Sequence, residues 1–258
     1  MNAIELRVFD MTLSIEQLDT ELFYPDSDGL PMAESDPARD YLLYGVEALG
    51  LYFQDRADVY VSGNLFIYYK RGVPDAVVAP DVFVIFGVEN KKRRSYKAWE
   101  EDGKLPAFVL EITSKTTQEN DEEDKPKKYQ SLGVLEYFQY DPTGDYLRPQ
   151  LKGVRLVENR YQEIVGHFSG ETFSLHSQTL GLDLRLTDGE LRFYEPETDK
   201  RLLSHVELDA ARQQAEQARQ QAEQARQQAI PRLLRLGLTE EQVAEALSLS
   251  VEEVRQAF

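Results

Sequence analysis

Pro80-Asp81-Val82-Phe83-Val84-Ile85-Phe86 is followed by Phe108-Val109-Leu110-Glu111-Ile112-Thr113-Ser114-Lys115-Thr116. Then come Asp124-Lys125-Pro126-Lys127-Lys128-Tyr129 and Gly133-Val134-Leu135-Glu136-Tyr137-Phe138. The apolar runs Ala107–Thr113 and Glu136–Tyr140 are short, as buried central strands are. A helix is expected between them, from about Pro126 to Leu132. Proline is tolerated at the start or edge of a strand, so Asp81 lies near a strand end. A carboxylate there is either a turn cap or a metal ligand, and Pro74-Asp75 repeats the dipeptide upstream. Glu111 carries more weight. An ionised carboxylate inside Phe108-Val109-Leu110-Glu111-Ile112 is costly to bury without a partner. Period-two alternation puts Ala107, Val109, Glu111 and Thr113 on one face. Two acids at two strand edges suggest a shared cation; the alternative for Glu111 is a structural salt bridge. Asp81 and Glu111 can supply hard oxygen ligands to Mg²⁺, and Lys125 can supply positive charge beside a phosphate.

Outward from this stretch, residues 1–35 are polar and acidic and are expected to form an irregular lead-in. Asp36-Pro37 marks a helix start. The helix is expected to run to about Gln54, apolar nearly all round and therefore buried, with Glu47 in its middle. Asp58–Tyr69, with Gly63-Asn64 inside it, and Val77–Val88 have strand composition. Arg148–Leu156 and Arg160–His167 suggest an antiparallel pair joined around Glu158-Asn159. Leu182–Leu186 and Leu191–Tyr194 complete the globular part, residues 36–203. Strands with interspersed helices indicate an α/β class.

The composition changes near Ser204. Ala211-Arg212-Gln213-Gln214-Ala215-Glu216-Gln217 repeats from Ala218 and again from Ala225. Alanines at alternating steps of four and three fall on one helical stripe. Alanine also has the highest helix propensity, so residues 204–230 are expected to be one alanine-rich heptad helix, ended or kinked at Pro231. It is either a weak coiled coil or an exposed single helix. Two capping boxes, Thr239 with Gln242 and Ser250 with Glu253, mark a short helix-turn-helix-like pair over residues 231–258. Its last helix has a single cation, Arg255, beside Glu252 and Glu253. That favours a packing or protein-contact module over a reader of DNA bases.

A chain of 258 residues, 41% of them hydrophobic, can bury a sizeable core. No apolar run approaches the roughly 20 residues of a membrane span, and the first residues lack a signal-peptide pattern, so a cytoplasmic location is expected. The absence of cysteine excludes disulfides, thiolate metal sites and cysteine nucleophiles. The formal net charge of −17 repels nucleic acid, so any contact with it must be local. Lys91, Lys92, Arg93 and Arg94 form the one dense basic run, either a nucleic-acid contact or a solvated loop. The acidic run from Glu119 to Asp124 is expected to precede a helix start and complement its dipole.

Taken in order, Pro80-Asp81-Val82, Glu111-Ile112-Thr113-Ser114-Lys115-Thr116, Lys125 four before Tyr129, and Gly133-Val134-Leu135-Glu136-Tyr137-Phe138 resemble the Uma-type restriction endonuclease family. That family belongs to the PD-(D/E)XK nuclease superfamily, and the resemblance covers roughly residues 36–195. It implies a restriction endonuclease-like α/β fold: a mixed β-sheet flanked by helices, here with a C-terminal helical appendage. It also implies Mg²⁺, with Mn²⁺ as a substitute, held by Asp81, Glu111 and the backbone carbonyl of Ile112, with help from Glu47. DNA would be the substrate and Lys125 the charge-stabilising group. A homodimer is expected, with no small-molecule cofactor and no membrane. The superfamily's Glu-x-Lys has Thr113 in place of its lysine. Pro126 would put Lys125 near a helix cap, which makes Lys115 the substitute candidate. A nuclease fold acting only as a binding or assembly module is the competing reading.

Overall fold

The architecture was obtained as a computed structural model, which describes residues 23–26, 35–113 and 118–256. The chain divides into two compact units, Met1–Ser204 and His205–Phe258.

The first unit is built on the strands expected to be central. β4 (Val82–Phe86), β6 (Phe108–Ile112) and β7 (Glu136–Tyr140) lie side by side in a six-stranded sheet. Its order is β1-β4-β6-β7-β8-β9, with β1 (Val59–Ser62), β8 (Leu151–Val157) and β9 (Arg160–Glu163) completing it. β6 and β7 run parallel, with Glu111 opposite Gln139; the other neighbours are antiparallel. β6 and β7 are buried along their whole length, which explains their unbroken apolar runs. β8 and β9 are joined at Glu158 and Asn159, both at positive φ, as a tight hairpin turn requires.

The two faces of this sheet are covered differently. Helix α1 (Asp36–Tyr52) puts Tyr44, Ala48 and Leu49 against Val82, Val84, Phe108 and Leu110. Its N-cap is Ser35, one residue before the expected acceptor. The same cluster includes Leu182, Leu184, Leu191 and Phe193 from a second sheet. That sheet is a five-stranded antiparallel meander: β10 (His167–Ser169), β11 (Thr172–Ser177), β12 (Leu182–Thr187), β13 (Glu190–Glu195) and β14 (Lys200–Arg201). The opposite face of the first sheet, Phe83, Ile85, Val109 and Tyr137, packs on Tyr129 of helix α2 (Gln118–Ser131). The expected architecture, a mixed sheet flanked by helices with a helical C-terminal region, is the one observed.

Several boundaries differ from expectation. The run Asp58–Tyr69 divides into β1 and β2 (Ile67–Tyr68), which belong to different sheets. Asn64 takes φ 49 and its N–H bonds the Pro80 carbonyl at 2.8 Å, so the chain turns there. Val77–Val88 divides likewise at Pro80 into β3 (Val77–Val78) and β4. β3, β2 and β5 (Tyr96–Lys97) form a small three-stranded sheet. Helix α2 starts at Gln118 rather than near Pro126, so the acidic run lies inside it and Pro126 is an interior residue. That first half carries no apolar period to announce a helix; acids near an N-terminus stabilise it through the dipole.

In the second unit, helix α3 (His205–Arg235) runs through Pro231 instead of ending there. Proline removes one backbone bond. Burial on both sides of it compensates: Ile230, Leu233 and Leu234 pack with Val243 and Ala244 of α4 (Glu240–Leu247) and Val254 of α5 (Val251–Gln256). Both capping boxes form. The stripe alanines Ala211, Ala215, Ala218, Ala222 and Ala225 are exposed.

Candidate active site

Asp81 stands just before β4 and Glu111 near the end of β6, and the two strands are hydrogen-bonded neighbours. Alternation from Phe83 and Val109 puts both acids on the face covered by α2. The two carboxyls are close enough for the Glu111 charge to act on Asp81. Asp81 Oδ2 accepts the Ile112 N–H at 2.7 Å. Glu111 is wholly buried. Its Oε2 accepts from Lys125 Nζ at 2.8 Å and its Oε1 from the Tyr129 hydroxyl at 2.6 Å.

Helix α2 explains this geometry. Lys125 and Tyr129 are four residues apart, so both side chains leave the same helical face one turn apart. One helix therefore supplies a donor to each oxygen of one carboxylate. Lys125 lies inside the helix, not at its cap, and this corrects the expectation drawn from Pro126. Lys115 lies outside the described residues.

Burial pushes the Asp81 carboxyl well above the usual carboxylate range, and the charge of Glu111 adds to it; the Ile112 N–H and Lys125 pull the other way. Burial also raises the Tyr129 hydroxyl well above its ordinary value, with Glu111 next in effect, so it stays a donor.

Glu47 is not brought into this pair. Among the described residues no three His, Cys, Asp or Glu side chains form a group able to hold a metal. The reason is the layer: α1 packs on the Val82 face of the sheet, and the carboxyls point to the α2 face. A Cβ on Gly45 would lie 2.8 Å from Val82 Cγ2, and Glu47 leaves the helix about 200° round from Gly45.

The basic run is largely committed elsewhere. Arg93 is half-buried, with Nη2 2.7 Å from Glu101 Oε1 and further bonds to the carbonyls of Lys91 and Glu89. Its guanidinium lies 4.3 Å from the centre of the Tyr60 ring. Arg93 therefore ties its own loop to Glu101 and Tyr60. Arg94 pairs with Asp26 and Lys91 with Glu89, both at exposed positions; Lys92 is exposed.

A cavity of about 330 Å³ opens beside Lys125 and Tyr129, lined also by Val77, Val78, Ala79, Asp124 and Lys128. Residues 44–187 match the family Uma2, described as "Putative restriction endonuclease". The chain belongs to the Uma2 family. No curated protein matches it. The family description points to a nuclease-like function. No helix among the described residues is long and apolar enough to cross a membrane.

Sequence reasoning gave Tyr129 no role. Its spacing from Lys125 was the available signal, since residues four apart on a helix serve one target.

Proposed function

We propose that this Uma2 protein is a divalent-cation-dependent endonuclease that hydrolyses DNA phosphodiester bonds, acting as a cytoplasmic homodimer. The observation that carries the reading is the pairing of Asp81 with Glu111 under Lys125. The donor set fits the cation. Mg²⁺ is commonly held by one or two carboxylates, with water and substrate phosphate filling the other positions. Asp81, Glu111 and the Ile112 carbonyl would hold it, and Mn²⁺ would substitute. Glu111 Oε2 accepts from Lys125 and Oε1 from Tyr129, and each oxygen has a further lone pair. Asp81 is fixed through Oδ2 by the Ile112 N–H. A bound cation would acidify water and polarise the phosphoryl group. Lys125 would place positive charge beside the phosphate, since about a third of its side chain is exposed next to the cavity.

One observation favours the competing reading of an inactive binding module: Lys125 is ion-paired to Glu111 and so partly committed. Calorimetric Mg²⁺ titration of the wild type and of Asp81→Ala, with plasmid nicking measured on both, separates the two readings. Cation binding and nicking that both vanish in Asp81→Ala support the hydrolase. Wild type that binds no Mg²⁺ and leaves plasmid intact rejects it.

A further inference from the structure

Thr113 follows β6 and extends its ladder by one bond, from its N–H to the Tyr140 carbonyl at 2.8 Å. Strand alternation therefore continues through it, and its side chain falls on the face of Glu111. The residue is 2% exposed, yet its Oγ1 has no hydrogen-bond partner among the described residues. The other such atom, Arg192 Nε, belongs to a guanidinium that bonds the Leu191 carbonyl and lies over the Tyr44 ring. Thr113 has no comparable compensation.

A buried hydroxyl without a partner is unfavourable. Valine has nearly the same shape and carries no such cost. A strand end built for stability alone would therefore place an apolar side chain here, as Val109 does two residues earlier on the same face. The hydroxyl bonds neither acid: Glu111 accepts from Lys125 and Tyr129, and Asp81 from Ile112. The hydroxyl is left for a group that enters the site.

We propose that Thr113 is a positioning residue whose hydroxyl holds a water of the hydrated divalent cation beside Glu111. The inference rests on the hydrolase reading above. A hydroxyl both donates and accepts, so it can orient a water without adding charge to a pair of acids. Mg²⁺ retains several of its waters when bound, and second partners of such ligands tune affinity.

The test uses the full chain with Thr113→Val and Thr113→Ser. Mg²⁺ affinity is measured by calorimetry, and thermal unfolding is followed in chelator and in Mg²⁺. In chelator, Thr113→Val should unfold at a higher temperature than wild type, because the unsatisfied hydroxyl is gone. Its Mg²⁺ Kd should rise about three- to tenfold, the range one lost hydrogen bond gives. Thr113→Ser should keep Kd within about twofold of wild type by the same reasoning. A Thr113→Val Kd equal to that of wild type overturns the proposal and leaves the hydrolase reading standing. So does a Thr113→Val protein less stable than wild type in chelator, since the hydroxyl would then have an internal partner. A loss in Thr113→Ser as large as in Thr113→Val also overturns it, because shape would be the cause. Wild type that binds no Mg²⁺ removes both readings.

Discussion

Tyr129→Phe removes one hydroxyl and nothing else. The tyrosine is 2% exposed, and its bond to Glu111 is 2.6 Å long. Phenylalanine keeps the ring packed on Tyr137, whose centre is 5.2 Å away, so no cavity opens. The cost is the hydrogen bond to an ion-paired carboxylate, ~1.5–3 kcal/mol for charged acceptors. Lys125 still holds the other oxygen, which places the expected loss near the lower end, ~2 kcal/mol. For a folding unit of this size that corresponds to a fall of about 4–8 °C in Tm. The single tryptophan, Trp99, lies in the same unit and reports its unfolding in urea. A double-mutant cycle with Glu111→Gln isolates the pairwise energy. A loss below ~0.5 kcal/mol, the scale of an ordinary surface change, would refute the reasoning. So would a loss of the same size in the Glu111→Gln background.

Asp81→Asn should stabilise the cation-free protein, increasingly so at higher pH. The folded state raises the Asp81 pKa, so its favourable contribution is full below the unfolded value of about 3.9 and is lost as pH rises through the folded value. The Tm gap between D81N and wild type should therefore open from pH 4 to pH 8; a gap that closes over that range contradicts the raised pKa. Gly63→Ala should cost ~1–3 kcal/mol and weaken Mg²⁺ binding, because its Cβ would stand 2.1 Å from the Asp81 carbonyl oxygen. Gly50→Ala meets nothing within 4 Å and serves as the control. Glu136→Ala should destabilise by ~3–5 kcal/mol, since it strips a buried acceptor from Arg155, Ser177 and two backbone N–H groups. Urea unfolding indistinguishable from wild type would show that this network contributes nothing.

Buried strands were legible because their apolar runs are continuous. Glu111 was legible because an acid within such a run demands a reason. The start of α2 was not, since a helix whose first turns are acidic has no apolar period. The break at Gly63-Asn64 and the strands β10, β11 and β14 were missed for a related reason. Short, half-exposed strands carry a composition little different from loops. The place of Glu47 depended on which face of the sheet α1 covers, and residue type cannot set that. The commitment of Arg93 to Glu101 and Tyr60 is a tertiary fact, invisible in a run of four cations.

Tyr44 of α1 donates its hydroxyl hydrogen to the Leu202 carbonyl and accepts the Phe193 N–H, across 158 and 149 residues of chain. During synthesis α1 emerges long before either partner. At roughly 5–20 residues per second it waits about 8–30 s for them. Until then the apolar side of α1 and the β4–β6 face beneath it lack their final cover from β12 and β13. The nascent chain should therefore depend on factors that shield apolar surface, and its full set of contacts should close late, after most of the first unit has been made.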